Sequence, residues 1–192
     1  MFRFVLFACR PLTVDELLHA LGIPHDPDTE FTPSDEYFQQ RIPVQRAITP
    51  SSHAAEGLCG IDAIERRIIH CGGNFLEIKR HHGTVVSSEK PPYSRANKDI
   101  GNSSVQVMHQ TVREFFLRPD GYVASSKFRM EEKDAHTRIS MACIRYLMLC
   151  AANTTLANKL PSIKYWTPEH FEAYARYLNE RPLISYAISN TT

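Results

Sequence analysis

The first regular pattern of apolar side chains lies in "CRPLTVDELLHALGIP", residues 9–24. Apolar residues recur there at helical spacing: Val14, Leu17, Leu18 and Leu21. Thr13 and Glu16 have the spacing of a capping box, and Gly22 and Pro24 end the helix that this pattern predicts. The apolar stretch "FRFVLFA" before it predicts a second helix packed against the first.

The apolar period is lost over residues 24–58, which hold five prolines and many Ser, Thr and Asp residues. This composition predicts a loop or an inserted segment, the least ordered part of the chain. A helix is then predicted from Ile61 to His70 and closed by Gly72 and Gly73. The stretch "FLEIK" after it is predicted to be a strand.

A second strand is predicted at "VQVMH", residues 105–109, where apolar and polar side chains alternate. Together with "FLEIK" it would form a hairpin whose long polar tip covers residues 79–104. Thr111 and Glu114 repeat the capping-box spacing and predict a short helix that Pro119 bounds. The sequence thus predicts a winged helix over residues 1–118, because helices followed by a two-stranded wing define that fold.

From about residue 133 only helices are predicted. One long helix has a single apolar stripe, formed by Ile139, Ala142, Cys143, Tyr146, Leu147 and Cys150. A second helix has Thr167 as N-cap, Pro168 at its first position and Trp166 stapled to Phe171. A third begins at Pro182, and its apolar residues have no later chain to cover them, so we expect the isolated chain to self-associate. The expected fold class is mainly α with a small β wing: a winged helix followed by a solenoid-like helical region, 133–192.

Composition and charge narrow the function. The 192 residues are 43% hydrophobic and carry a net charge of +1, which gives no global field for nucleic acid or an anionic membrane. The cysteines are odd in number, form no C-x-x-C pair and lie mostly in apolar runs, which favours reduced thiols. No stretch approaches the roughly 18 apolar residues of a membrane span. We therefore expect a soluble cytoplasmic protein with no membrane partner.

Five stretches resemble one family: "RPLTVDELLHAL", "IIHCGGNFLEI", "VMHQTVREFFL", "AHTRISMACIRYL" and "YLNERPLISYA". They are similar, in order, to the segment that follows the NACHT nucleotide-binding domain in fungal NACHT and ankyrin-repeat proteins of the STAND class, known from heterokaryon incompatibility and other signalling. The segment also resembles the winged-helix domain named after GPI inositol deacylases. Because the chain has no G-x-S-x-G elbow, that label names a fold and not an activity.

The resemblance implies a role for His109. In STAND proteins a histidine at the end of the wing strand points at the β-phosphate of ADP when the winged helix is closed, and His109 occupies that place. The chain has no G-x-x-x-x-G-K-[ST] loop, so ADP or ATP would be bound only with a NACHT domain from upstream or from another STAND chain. Without that domain we expect the chain to bind no cofactor and to have no enzymatic activity. The resemblance also implies that the chain is a truncated middle piece of a receptor, and that the receptor continues into ankyrin or helical repeats.

Other interpretations of these residues stay open. His109 could be a structural histidine satisfied by neighbouring backbone. Basic residues on the predicted third helix and wing, Arg66, Arg67, Lys79 and Arg80, would suit a nucleic-acid-binding winged helix, although the near-zero net charge favours a solvated face. A zinc site from Cys59, His70, Cys71, His81 and His82 is not expected, because these residues lack paired ligand spacing.

Overall fold

The fold is taken from a computed structural model, which describes residues 1–34, 36–37, 66, 68–80, 103–118, 130–152 and 161–190. Most of the predicted segment 24–58 and of the predicted wing tip lies outside these residues, as does Arg67. The described chain is mainly helical with a small three-stranded antiparallel sheet, as the sequence predicts at that level.

The elements follow one another in the order helix, strand, helix, two strands and then helices. Their bounds are α1 (Phe2–Phe7), β1 (Leu12–Thr13), α2 (Val14–Gly22), β2 (Leu76–Lys79), β3 (Ser104–Val107), α3 (Gln110–Leu117), α4 (Glu132–Ala152), a 3-10 turn (Ile163–Tyr165), α5 (Pro168–Asn179) and α6 (Leu183–Ser189). Residues 68–72 are also helical. The chain packs as two compact units: residues 1–17 with 50–137, and residues 18–49 with 138–192. The predicted domains 1–118 and 133–192 stay a prediction.

The sheet of the first unit has the strand order β1-β3-β2. The predicted hairpin is confirmed, since Leu76 pairs with Val107 and Lys79 with Ser104 in an antiparallel register. The sequence did not predict β1, which pairs Leu12 with Val105. A strand of two residues has no periodicity of its own and forms only because β3 offers a free edge. Apolar side chains form the core of this unit: Phe4, Leu6, Leu12, Leu76, Val105 and Phe116 are buried.

The start of α2 is the capping box that the sequence predicts. The Glu16 backbone N–H donates to Thr13 Oγ1 at 3.2 Å, and the Thr13 N–H donates to Glu16 Oε2 at 2.8 Å. Arg10 adds a bidentate contact, donating to both Glu16 carboxylate oxygens at 2.8 and 2.5 Å. Because Glu16 is buried, these three donors offset the cost of removing its charge from water.

The helical residues 68–72 end at a tight left-handed turn, formed by Gly73 at φ 56° and Asn74 at φ 62°. Gly72 lies against the buried Leu76, and a Cβ at this glycine would come within 2.9 Å of Leu76 Cβ. Closure of this helix by Gly72 and Gly73 is confirmed, whereas its predicted first turn from Ile61 lies outside the described residues.

In the second unit, α4 buries the stripe that the sequence predicts. Ile139, Ala142, Cys143, Tyr146 and Cys150 are buried, Leu149 joins them, and Leu147 is half-buried. At α5 the predicted N-terminus is also confirmed: Thr167 is the N-cap, and the Trp166 and Phe171 ring centroids are 5.1 Å apart.

The expectation of an uncovered last helix is wrong. Leu183, Tyr186 and Ala187 of α6 are each 1% exposed or less. They lie in the core of the second unit, whereas α5 buries none of its residues. The apolar face of α6 is therefore not the exposed surface from which self-association was predicted, and self-association itself stays a prediction.

Candidate functional site

The candidate site is the junction between β3 and α3, where the sequence places His109. The strand ends when the Met108 N–H donates to the Phe75 carbonyl at 2.9 Å across the hairpin. His109 is still extended, with φ −145° and ψ 146°, and α3 begins at the next residue. His109 is therefore the N-cap of α3.

The capping contact uses one ring nitrogen of His109. The Thr111 backbone N–H donates to Nδ1 at 3.2 Å, and Thr111 Oγ1 lies 2.9 Å from the same nitrogen. Thr111 was predicted to be the N-cap, and that assignment is wrong: α3 begins at Gln110, before Thr111. An N-cap side chain must satisfy an otherwise unpaired N–H of the first turn, and the imidazole does so here in place of a hydroxyl.

The cap fixes what the other ring nitrogen can do. Since Nδ1 accepts a hydrogen bond, the neutral ring of His109 carries its proton on Nε2. The residue is exposed, so Nε2 remains a donor at the positive end of α3. The Nε2–H donor and the positive end of the helix both favour binding of an anion over binding of a cation at this junction.

The elements that flank His109 carry exposed apolar side chains. Met108 and Phe115 are each 51% exposed and Phe75 is 43% exposed. Two of these rings continue a cluster that reaches the core, with Phe116 centroids 6.0 Å from Phe75 and 5.4 Å from Phe115. Exposed apolar side chains are thus present on the hairpin and on the helix that flank His109.

The basic residues of the alternative interpretation are not assembled into a site by any described contact. Arg66, Lys79 and Arg80 are exposed, the last two at the end of β2, and Arg67 lies outside the described residues.

Of the cysteine and histidine residues considered for zinc, the structure describes His70 and Cys71. His70 and Cys71 are exposed near the end of the helical residues 68–72, and within the described part of the chain no three His, Cys, Asp or Glu side chains are placed to hold a metal ion.

The sequence did not predict a buried polar cluster in the second unit. His19 Nδ1 lies 2.8 Å from Tyr146 Oη, and both side chains are almost fully buried. Arg181, 5% exposed, stacks on the Tyr177 ring at 3.9 Å, and the Tyr177 hydroxyl donates to the Cys150 carbonyl at 3.0 Å. The signal was present, because His19 falls on the same helix face as buried residues, but a single histidine in an apolar stripe does not reveal its partner.

Burial sets the protonation of this cluster. It lowers the pKa of His19 to about 4, and the Arg181 charge acts in the same direction. Burial also raises the pKa of the Cys150 thiol to about 11 and the pKa of the Tyr146 phenol further above its ordinary range. All three groups are therefore neutral near pH 7, which leaves Arg181 as the cation of the cluster. A neutral thiol is a poor nucleophile, so the arrangement does not suit covalent catalysis.

A second buried arginine holds the start of the proline-containing segment. The Arg145 guanidinium donates to four backbone carbonyls, those of Pro24 at 2.8 Å, Asp26 at 2.8 Å, Pro27 at 3.5 Å and Thr29 at 2.6 Å. Its guanidinium carbon also lies 5.6 Å from the centre of the Phe31 ring. Arg145 was not singled out in the sequence, because its position in α4 looks like an ordinary polar interruption of an apolar stripe.

A cavity of about 290 Å³ lies in the first unit. It is lined by Leu6, Phe7, Ala8, Arg113, Leu117, Met130, Glu132 and His136. His136 Nε2 lies 3.5 Å from Glu132 Oε1 and its ring contacts Phe7 edge to face. Because Glu132 and His136 pair with each other and both are exposed, the cavity presents a solvated rim rather than a prepared ligand set.

No helix in the described ranges is long and apolar enough to cross a membrane. Comparisons with protein-family models, with curated proteins and with solved structures found no match to this chain.

Proposed function

We propose that the chain is a non-catalytic regulatory segment of a fungal STAND receptor of the NACHT type. In this proposal a winged helix over residues 1–118 gates a nucleotide site that a NACHT domain supplies, and the region 133–192 leads into ankyrin or other helical repeats. The observation that carries the proposal is the place of His109, at the end of the hairpin strand β3 and at the N-cap of α3. The resemblance assigns a phosphate-contacting histidine to that place.

The order of elements supports the winged-helix part of the proposal. Helix α1, helix α2 and the helical residues 68–72 precede a two-stranded hairpin, as a winged helix requires. Strand β1 lies between the first two helices and adds a third strand on the β3 edge. The hairpin thereby gains a second set of backbone hydrogen bonds, and a third strand makes a small sheet more stable than a two-stranded hairpin alone.

The chemistry of His109 suits a sensor of the closed state. Its Nε2–H can donate to a phosphate oxygen while Nδ1 stays occupied by the cap, so the ring needs no rearrangement to make the contact. A hydrogen bond to a charged group contributes roughly 1.5 to 3 kcal/mol. A contact made only in the closed, ADP-bound form would shift a closed-to-open ratio by roughly ten- to a hundred-fold.

The test must separate the sensor role from the cap. In a protein that joins this segment to a NACHT domain, His109→Ala removes both, whereas His109→Asn keeps a good N-cap and removes the imidazole Nε2. We expect ADP to dissociate roughly ten- to a hundred-fold faster from both variants than from the parent. Helix α3 should be destabilised in the alanine variant alone.

The two substitutions also give the outcome that contradicts the proposal. If His109→Asn restores the parental ADP dissociation rate, His109 is only a cap and the nucleotide role fails. The 192-residue chain by itself is proposed to bind neither ADP nor ATP, and isothermal titration with each nucleotide measures this directly.

Nucleic-acid binding remains the alternative, favoured by the exposure of Arg66, Lys79 and Arg80. Binding through phosphate contacts falls steeply as salt rises. Duplex binding that weakens with salt and is lost in the Lys79→Ala, Arg80→Ala double variant would favour this alternative over the gating role.

A further inference from the structure

The buried cluster around His19 is a feature that the proposed gating function does not use. His19 is 3% exposed, and its hydrogen bond joins α2 to Tyr146 of α4 within the second unit. The two rings also meet edge to face, with centroids 5.8 Å apart. A polar contact between two aromatic side chains thus lies among the buried side chains of the second unit.

We propose that the His19–Tyr146 pair is an acid-sensitive lock of the second unit, whose opening releases the end of α2 from α4. The lock holds while His19 is neutral, because a neutral imidazole and a phenol form one complementary donor and acceptor pair. Protonation opens the lock because it places a positive charge on a buried ring, and burial disfavours the charged form. This inference is independent of any nucleotide role.

Protonation changes the hydrogen bonding at once. With a proton on both nitrogens, Nδ1 can only donate, so Tyr146 must accept and turn its own O–H elsewhere. The next groups along α4 and α5 are the Cys150 thiol and the Tyr177 hydroxyl, both of which stay neutral because burial raises their pKa. Neither can supply a negative charge to the new imidazolium.

One charged group that acts on His19 is the cation of Arg181. Arg181, at the start of α6, is buried and lowers the pKa of His19 by charge repulsion in addition to burial. The Arg181 guanidinium lies 3.3 Å from Glu180 Oε2, and Glu180 is exposed, so that carboxylate is committed to Arg181 and screened by water. A protonated His19 would therefore place a second positive charge in the same core.

The sign of the pH effect follows from these pKa values. In the unfolded chain His19 has its ordinary pKa of 6.5, and in the folded chain its pKa is about 4. Between these values the unfolded chain binds more protons, so stability falls as the pH falls from about 6.5 toward 4 and is fully retained above 6.5. The unfolding equilibrium constant should rise on the order of a hundred-fold between pH 7.5 and pH 4 from this residue alone.

The test uses urea unfolding of the full chain followed by fluorescence of Trp166, the single tryptophan and a residue of the second unit. The parent, His19→Gln and the control His136→Gln are compared from pH 7.5 to pH 4. Glutamine keeps a neutral hydrogen-bonding side chain, so His19→Gln should lose the hundred-fold increase. His136 is exposed and lies in the first unit, so its variant should follow the parent.

Equal pH dependence of the parent and the His19→Gln variant overturns the proposal. If that variant does not fold, proton NMR of the His19 ring in the parent decides instead: a midpoint near pH 4 supports the lock, and a midpoint at pH 6 or above removes it. Amide hydrogen exchange at pH 5 should also be faster than at pH 7.5, after correction for intrinsic rates, at residues 18–22 of α2.

Discussion

Replacing the buried Arg145 of α4 by methionine should destabilise the chain more than replacing Arg138 of the same helix by methionine. Methionine keeps the length and apolar stem of the side chain but removes all donors to the four carbonyls of residues 24–29. Pro27 and Thr29 are exposed, so water can replace the guanidinium at their carbonyls. Pro24 and Asp26 are half-buried, and their carbonyls would lose their charged donor without full replacement by water.

The magnitude follows from those two half-buried carbonyls. Hydrogen bonds to a charged group contribute about 1.5 to 3 kcal/mol each, and their sum is reduced by partial hydration, so we expect a loss of about 3 kcal/mol in the free energy of unfolding. Arg145→Lys keeps the charge but not the planar fork, and should lose about half as much. Arg138→Met is the matched control, because the Arg138 guanidinium pairs at 3.5 Å with the Asp26 carboxylate, whose side chain is half exposed, and ion pairs in contact with water contribute about 1 kcal/mol or less.

Urea unfolding at pH 7.5 measures the loss, and limited proteolysis measures whether residues 24–29 become accessible to cleavage. An Arg145→Met variant whose free energy of unfolding lies within about 0.5 kcal/mol of the parent, the range of ordinary surface substitutions, would refute this role of Arg145. An equal loss in the Arg138→Met control would refute it as well.

Two further predictions concern the first unit. Gly72→Ala should lower the free energy of unfolding by about 1 to 3 kcal/mol, because its Cβ would come within 2.9 Å of the buried Leu76 Cβ. In a double-mutant cycle with Leu76→Ala, the same glycine substitution should cost less, because the neighbouring side chain is shorter. Glu16→Ala should cost about 2 kcal/mol, since it removes the N-cap partner of Thr13 and leaves Arg10 without its bidentate carboxylate, and thermal unfolding that matches the parent would show that the capping box contributes nothing.

Features decided within a few residues were predictable from the sequence. The capping box of Thr13 and Glu16 and the staple of Trp166 on Phe171 both form as their spacing predicts, because each depends on backbone geometry within one helical turn. The hairpin was predictable too, because β3 alternates apolar and polar side chains.

Features decided by distant chain segments were not predictable in this way. Arg145 meets carbonyls more than one hundred residues away in sequence, and His19 meets Tyr146 across a separation of 127 residues. The prediction of Thr111 as the N-cap of α3 was wrong for a different reason. Thr111 has the preferred chemistry for a cap, but the extended backbone of His109 at the strand end places the imidazole where the hydroxyl was expected, and Thr111 becomes the group that is capped.

The last two helices show why a periodic pattern leaves the partner of a helix undetermined. Both α5 and α6 are amphipathic in sequence, and only α6 could be expected to lack a cover, because it comes last. In the structure α6 is the helix that enters the core, through Leu183 and Tyr186, while Phe171 and Tyr174 of α5 stay 54% and 39% exposed. A seven-residue helix can be enclosed by its neighbours more completely than one of twelve residues. If the isolated chain self-associates, α5 therefore offers exposed apolar side chains for the contact, as do Met108 and Phe115 in the first unit, whereas substitutions at the buried Leu183 or Tyr186 would act through stability instead.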